Sequence, residues 1–379
     1  MSVFDTSVQV FLKPVLQFLQ DDSVSEIMIN GPNDIFIERA GHVTKTDAKF
    51  EDANALMAAV RNIAQFVGRP IDEERPFLDA RLPDGSRIHA VVPPVARNGT
   101  TVAIRKFSKT KLQLKDLIAK GALTPEAARF LDVCLYLKKN IIVSGGTGSG
   151  KTTILGILAS RCQPDQRIVV LEDSAELKVN NTHVVFMEAR PADEYGKGLV
   201  TLRDLVKSSL RLRPDRVIVG EVRSGEALDL ISSMNTGHSG SMGTVHSNNP
   251  KECMTRLETL CLMNDTQVPV QAVRAQVASA VNIVIQLSRI ADGSRKVTHI
   301  SEGIGMDMQG NYQINDIFLF EQTGRTPEGK ILGSLNPTGN LPSFMREIEV
   351  NHLPYPREMF QRKPGGGNTG GGKKDPEAA

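Results

Sequence analysis

Ser144-Gly145-Gly146-Thr147-Gly148-Ser149-Gly150-Lys151-Thr152-Thr153 has the composition and spacing of a phosphate-binding loop. It follows Ile141-Ile142-Val143, an apolar run that reads as a buried strand, and precedes Ile154-Leu155-Gly156-Ile157-Leu158, which reads as a helix. That order gives the pattern a mechanism. Glycines let the chain curl until successive N–H groups point at one anion, and the helix N-terminus adds partial positive charge at the same place. Lys151 then reaches the outer phosphates, and the Thr152 hydroxyl suits Mg²⁺. Gly145, Gly146, Thr147, Gly148, Ser149, Gly150, Lys151, Thr152 and Thr153 are therefore the expected contacts of a nucleoside triphosphate.

Downstream of this loop the chain alternates strand and helix, the pattern of an α/β fold with a mostly parallel sheet. Strands are expected at Ile141–Ser144, Ile168–Leu171, Val184–Met187, Val217–Val219 and Met242–His246. Thr124-Pro125 and Asn249-Pro250 read as helix starts, each with a capping side chain before a proline. Asn282–Ile290 with Val297–Ile300 reads as a late antiparallel edge.

A parallel sheet gathers the C-terminal ends of its strands into one crevice, which singles out the residues that follow each strand. Leu171-Glu172-Asp173 delivers two adjacent carboxylates, suited to a metal or an attacking water; helix capping by Asp173 or Ser174 is the competing reading, and Glu176 is a lesser candidate. Val217-Ile218-Val219-Gly220-Glu221 is a Walker B arrangement with Glu221 in place of the commoner Asp. The extra methylene lets Glu221 hold a metal-bound water instead of the metal itself. His246 ends another strand and is placed to sense the terminal phosphate, while His238 lies in a glycine-rich loop. Arg105, Arg211, Arg213 and Lys207 are guanidinium and ammonium groups suited to transition-state charge.

The first hundred residues have a different rhythm. Val8, Phe11, Leu12, Val15, Leu16 and Leu19 recur at helical spacing around Pro14. Glu26–Asn30 and Ile35–Arg39 flank a Gly-Pro-Asn-Asp turn, and Thr100–Phe107 reads as a strand. These make a small α+β unit. The expected organisation is an N-terminal domain over 1–107, a linker at 108–113, a nucleotide-binding domain over 114–321 and a C-terminal extension over 322–379. The extension ends in a Gly-rich tail, 364–375, too polar to order itself.

The 379 residues carry a net charge of +2, which gives no cause to invoke nucleic acid or an anionic membrane. No apolar run approaches the ~18 residues of a span, and no signal-peptide pattern opens the chain. A cytoplasmic protein is expected. Cys134, Cys162, Cys253 and Cys261 form no CxxC pair. On one helix Cys253 and Cys261 would stand ~12 Å apart, beyond the ~7 Å limit for a disulfide, so reduced buried thiols are expected.

Leu171-Glu172-Asp173, Pro214-Asp215 with Gly220-Glu221-Val222-Arg223, and Thr236-Gly237-His238 with Thr244-Val245-His246 resemble the boxes of type II/type IV secretion and pilus-assembly ATPases. Ser25–Pro32, Arg81–Arg87 and Leu210–Asp215 bring the resemblance nearest to the ATPase of Tad (tight-adherence, Flp-type) pilus systems. It spans about residues 20 to 305. The resemblance implies a RecA-like P-loop domain preceded by a smaller α+β domain. It also implies a homo-hexamer with ATP and Mg²⁺, Lys151 and Thr152 at phosphate and metal, and Glu172 and Glu221 at the hydrolytic water. His246 matches the histidine-box residue, and Arg105 the first-domain arginine that approaches phosphate. The function implied is a cytoplasmic ATP hydrolase, peripheral to the inner membrane through platform partners, that powers assembly of a pilus, with retraction a further expectation. Two features of some relatives are not expected, a longer N-terminal targeting module and a four-cysteine metal module. The rivals are a type IV secretion or conjugation motor exporting DNA or protein, and a nucleotide-gated scaffold without useful turnover. A helicase is disfavoured, since nothing suggests a strand-binding channel.

Overall fold

Alternating apolar residues near the N-terminus build an antiparallel sheet that buries one face. In a computed structural model, which describes residues 3–39, 41–106, 112–193, 196–266 and 268–362, the chain divides into two compact units. One holds Met1–Lys111 with Pro191–Leu199, the other Leu112–Arg190 with Val200–Ala379.

The first unit opens with α1 (Val3–Phe11) and α2 (Leu16–Gln20), separated by a 3-10 turn over Lys13–Val15. Pro14 lies in that turn, where its missing N–H and fixed φ break the helix that the apolar spacing alone would continue. The sheet follows: β1 (Val24–Asn30), β2 (Ile35–Arg39), β3 (His42–Lys45), then α3 (Ala53–Phe66), β4 (Phe77–Arg81), β5 (Arg87–Val91) and β6 (Thr101–Arg105). Its order among the described residues is β3-β2-β1-β6-β5-β4. Ile27, Ile29, Ile37, Ile88 and Ile104 share one buried core with Leu56, Val60 and Ile63 of α3. The opposite face is charged. Register sets Arg105 between Glu26 and Arg87, and His89 beside Asp79, around a cavity of about 360 Å³.

The second unit contains α4 (Leu114–Ala119), α5 (Pro125–Tyr136), β7 (Ile141–Gly145), α6 (Lys151–Ser160), β8 (Ile168–Glu172) and β9 (Val184–Glu188). It continues through α7 (Leu202–Ser209), β10 (Arg216–Val219), α8 (Glu226–Asn235), β11 (Met242–Val245), α9 (Pro250–Leu262) and α10 (Val270–Ala280). It ends with β12 (Ile283–Arg289), β13 (Arg295–Met306), β14 (Tyr312–Arg325), β15 (Ile331–Pro337) and α11 (Met345–Val350). Sheet order is β15-β14-β13-β12-β7-β11-β10-β8-β9, with the six strands from β12 to β9 parallel. Ile141 and Val143 of β7 enter one core with α5 and α6, whereas Ile142 enters the other with residues of α7 to α10. Helices thus cover both faces, which explains why the parallel strands read as unbroken apolar runs. This is the expected RecA-like α/β architecture, preceded by a smaller α+β unit.

Three details correct the sequence reading. β12 is no edge, because it pairs in parallel with β7 and antiparallel with β13. The sheet then runs on through β14 and β15, so the boundary at 321 falls inside β14. No helix starts at Asp173 or Ser174, and 173–183 is irregular chain between β8 and β9. Of the linker at 108–113, residues 108–111 lie outside the described residues, and Gln113 N donates to Asp116 Oδ2 at the start of α4 (2.7 Å). The tail at 364–375 also lies outside them. The four cysteines are buried and free of disulfides.

Candidate functional site

The loop between β7 and α6 is shaped by what glycine permits. A Cβ on Gly145 would stand 2.6 Å from both Leu287 O and Ser149 Oγ, so the loop leaves β7 along a path no other residue fits. Gly150 caps α6 at φ +99°, and no side chain caps that helix or places an acid in its first turn. An uncapped helix start with a lysine as its first residue is suited to an anion. Lys151 is 7% exposed, and its Nζ donates to the Gly145 and Gly146 carbonyls, each at 3.0 Å. Gly146, Thr147 and Gly148 are exposed above the loop, and Thr152 and Thr153 follow on α6.

Adjacent strands deliver the other groups to the same edge. Parallel register places Ser144 opposite Val245, Val219 opposite Gly243 and Leu171 opposite Val219. The residues next in sequence on β7, β11 and β10 are therefore neighbours at the C-terminal edge. Thr244 Oγ1 donates to Gly220 O (2.7 Å), and Val222 N donates to Thr244 O (2.9 Å), which fixes the backbone on both sides of Glu221. Glu221 Oε1 lies 2.7 Å from His246 Nε2, and Glu221 Oε2 accepts from Arg223 Nη2 at 2.5 Å. Lys151 Nζ lies 3.4–3.5 Å from the two His246 ring nitrogens. Arg223 Nη1 also stands 3.6 Å from Asp173 Oδ2.

The charges follow from this packing. Burial would raise the Glu221 carboxyl, but the Arg223 hydrogen bond and charge, with His246 and Lys151, outweigh it and hold it below its ordinary value. Burial, then the Lys151 charge, push His246 below its ordinary value despite Glu221. The network therefore assigns Nε2–H to a neutral His246, donating to Glu221, which leaves Nδ1 toward Lys151.

Glu172 reaches the same edge in a different state. It is 4% exposed, and its Oε1 accepts from Glu176 N and Leu177 N, each at 2.8 Å. Burial raises its carboxyl above the ordinary value, opposed by those two amides. A Cβ at Gly220 would meet Glu172 Cγ at 2.9 Å, so Gly220 makes room for it beside Glu221. Arg211 and Arg213 are not brought to this edge. They precede β10 while Glu221 follows it, and Asp215 between them and the strand is bonded to Arg167 at the start of β8. His238 likewise precedes β11, where its carbonyl accepts from Ser241 Oγ (2.7 Å). Arg105 belongs to the first unit, on β6, with its side chain 57% exposed and its Nε 3.9 Å from Glu26 Oε1. The sequence reading gave no role to Arg223. The signal was its spacing of two from Glu221 in extended chain, which puts both on one side.

A protein-family model described as type II/IV secretion system protein matches residues 9–325. A putative conjugal transfer protein of Mycobacterium tuberculosis (strain H37Rv) is 36% identical over 289 residues, 75% of this chain and 82% of that protein. The type IV secretion system protein VirB11 of Brucella suis biovar 1 is 32% identical over 324 residues, covering 78% of this chain and 89% of its own length. Among solved structures, the ATPase DotB of Legionella pneumophila is similar in fold, with TM-score 0.55, 20% identity, and coverage of 79% of this chain and 82% of that one.

Proposed function

We propose that this chain, which belongs to the type II/IV secretion system protein family, is an ATP-hydrolysing motor. The observation that carries the reading is one network, Lys151–His246–Glu221–Arg223, assembled from the ends of three adjacent strands beside an uncapped glycine-rich helix start. The residues Gly145 to Thr153 hold the substrate phosphates through loop amides, the Lys151 ammonium and the first turn of α6. Thr152 Oγ1, and Glu221 through water, supply hard oxygen donors for Mg²⁺, which when bound neutralises phosphate charge. Glu221 orients the attacking water and takes its proton. The water oxygen bonds to the γ-phosphorus, the bond from that phosphorus to the bridging oxygen breaks, and ADP and phosphate leave. Glu172 supports this arrangement by holding 173–177 against Gly220. For Arg105 we propose a supply of transition-state charge in the assembled ring.

The test separates binding from chemistry. Lys151→Ala is expected to lose ATP affinity, whereas Glu221→Gln binds ATP and hydrolyses it slowly. Equilibrium binding and phosphate release decide, and near-normal turnover in Glu221→Gln removes that residue from the mechanism.

The machine served is proposed to be a pilus-assembly platform of the Tad type at the inner membrane, driven by a cytoplasmic homo-hexamer. Ser25–Pro32, Arg81–Arg87 and Leu210–Asp215 support that assignment by resemblance. Among the described residues no helix is long and apolar enough to cross a membrane, which fits attachment through partners. The names of the two relatives favour a second reading, a conjugation or type IV secretion motor. Deleting the gene and scoring surface pili against transfer of DNA or protein separates the two.

A further inference from the structure

The turn joining β12 to β13, with the first residues of β13, makes three attachments within the second unit. Arg295 donates from Nε to Gly148 O at 2.7 Å, and its Cδ lies 3.7 Å from where a Cβ on Gly150 would stand. Lys296, 9% exposed, donates from Nζ to Gly121 O at 2.7 Å, and Val297 N donates to Ala122 O at 3.0 Å. Asp292 accepts from Ile331 N at the start of β15 (2.7 Å) and from Ser294 N (2.9 Å), which fixes the turn itself. Two consecutive residues thus grip the apex of the glycine-rich loop and the chain that leaves α4.

Arg295 bonds a carbonyl of the loop, as Lys151 does with those of Gly145 and Gly146, so it fixes the loop backbone without occupying any of the N–H groups that would meet an anion. Gly148 has φ +69° and no atom within 4 Å of where its Cβ would be, so no side chain of its own packs the apex in place. Lys296 Nζ donates to the Gly121 carbonyl and, at 3.5 Å, to that of Lys120. Those carbonyls directly follow α4, where Gly121 N and Ala122 N bond back to Ile118 O and Leu117 O of the helix.

We propose that Arg295 is a positioning residue that holds the 145–150 loop ready for phosphate, and that Lys296 transmits the state of that loop to the end of α4. The proposal rests on the reading of this loop as the nucleotide site. Loss of one solvent-exposed hydrogen bond predicts about five- to tenfold weaker nucleotide binding.

The test uses the full chain with MgADP and MgATP. Arg295→Ala is expected to weaken both about equally, five- to tenfold, with the change in KM and not in kcat, and Arg295→Lys to recover most of the loss. A loss confined to MgATP overturns the positioning role in favour of direct contact with the γ-phosphate, and unaltered affinity overturns it outright. Should Arg295→Ala fold poorly, Arg295→Gln and Arg295→Lys carry the same comparison. For the second half, MgADP is expected to slow hydrogen exchange at Gly121 and Ala122 in the unmodified protein, and Lys296→Met to abolish that change while nucleotide affinity stays within twofold. No nucleotide-dependent change at these amides overturns the coupling. If the unmodified protein binds no MgADP, the nucleotide-site reading fails first and this proposal falls with it.

Discussion

Glu221 and His246 divide one proton inventory between them, and the direction of each shift fixes how the site answers pH. Both groups are held below their ordinary values, so near neutrality the acid is an anion and the ring is neutral. The stability His246 contributes is present above the ordinary histidine value of 6.5 and is lost as pH falls from there toward its lower folded value. The Glu221 contribution is present above 4.5 and is lost as pH falls through its own lower folded value. Both act in one direction: acid weakens the site. A protonated ring beside Lys151 also withdraws basicity from Glu221, so turnover is expected to fall on the acid side with a midpoint below 6.5. His246→Gln should remove that limb, and a rate profile from pH 5 to 8 on both proteins reads it. Glu172 answers differently, because burial favours its neutral form. A carboxamide oxygen accepts the same two amides, so Glu172→Gln is expected to keep or raise the melting temperature and to cost turnover less than about tenfold. A loss comparable to that of Glu221→Gln would place Glu172 at the water itself.

At the scale of elements, the C-terminal segment is held by aromatic packing on α5. Phe130 stacks against Phe344 at 6.1 Å between centroids and meets Phe318, Tyr355 and Phe360 at 5.6–5.9 Å. Phe360 is fully buried, so Phe360→Ala is expected to cost ~3–5 kcal/mol of stability, read as a shift in urea midpoint. Nucleotide affinity below the new transition should hold within twofold, because none of these rings belongs to the Lys151 network. The sequence made the parallel strands legible for the same reason that this cluster was not. β7, β8, β10 and β11 are buried on both faces, so each reads as a short apolar run, and the glycine loop, acid or histidine at its C-terminal end marks the candidate edge. β13 and β14 are half-buried, and register shifts between Gly303 and Gly305 and between Gln322 and Gly324 break the alternation that reveals such strands. Arg211 entered the sequence reading through proximity in sequence to Glu221. A four-residue strand at ~3.3 Å per residue puts about 10 Å between its first and last residues, and Arg211 precedes the strand while Glu221 follows it. Arg211→Ala is accordingly expected to alter turnover less than threefold at a protein concentration where the ring reading has all sites assembled.

For the whole molecule the question is where the remaining transition-state charge comes from. A triphosphate gathers negative charge on the transferring group, and one positioned guanidinium is worth about 10³-fold or more in rate. In the second unit Arg223 is already bonded to Glu221 and faces Asp173, which commits it to holding the acid. The first unit carries arginines on the charged face of its sheet, with Arg105 and Arg87 opposite each other across β6 and β5. If the site needs a guanidinium from that face within an assembled ring, turnover per chain depends on assembly. Specific ATPase activity is then expected to rise with protein concentration in step with the mass measured in solution. Arg105→Ala should lower the plateau ~10³-fold while leaving the mass and the melting temperature unchanged. A loss of only a fewfold would make Arg105 a structural residue of the β1–β6 pair, consistent with its place beside Glu26. A monodisperse monomer that hydrolyses ATP as fast as the assembled species would end the ring-motor reading, whatever Arg105 does.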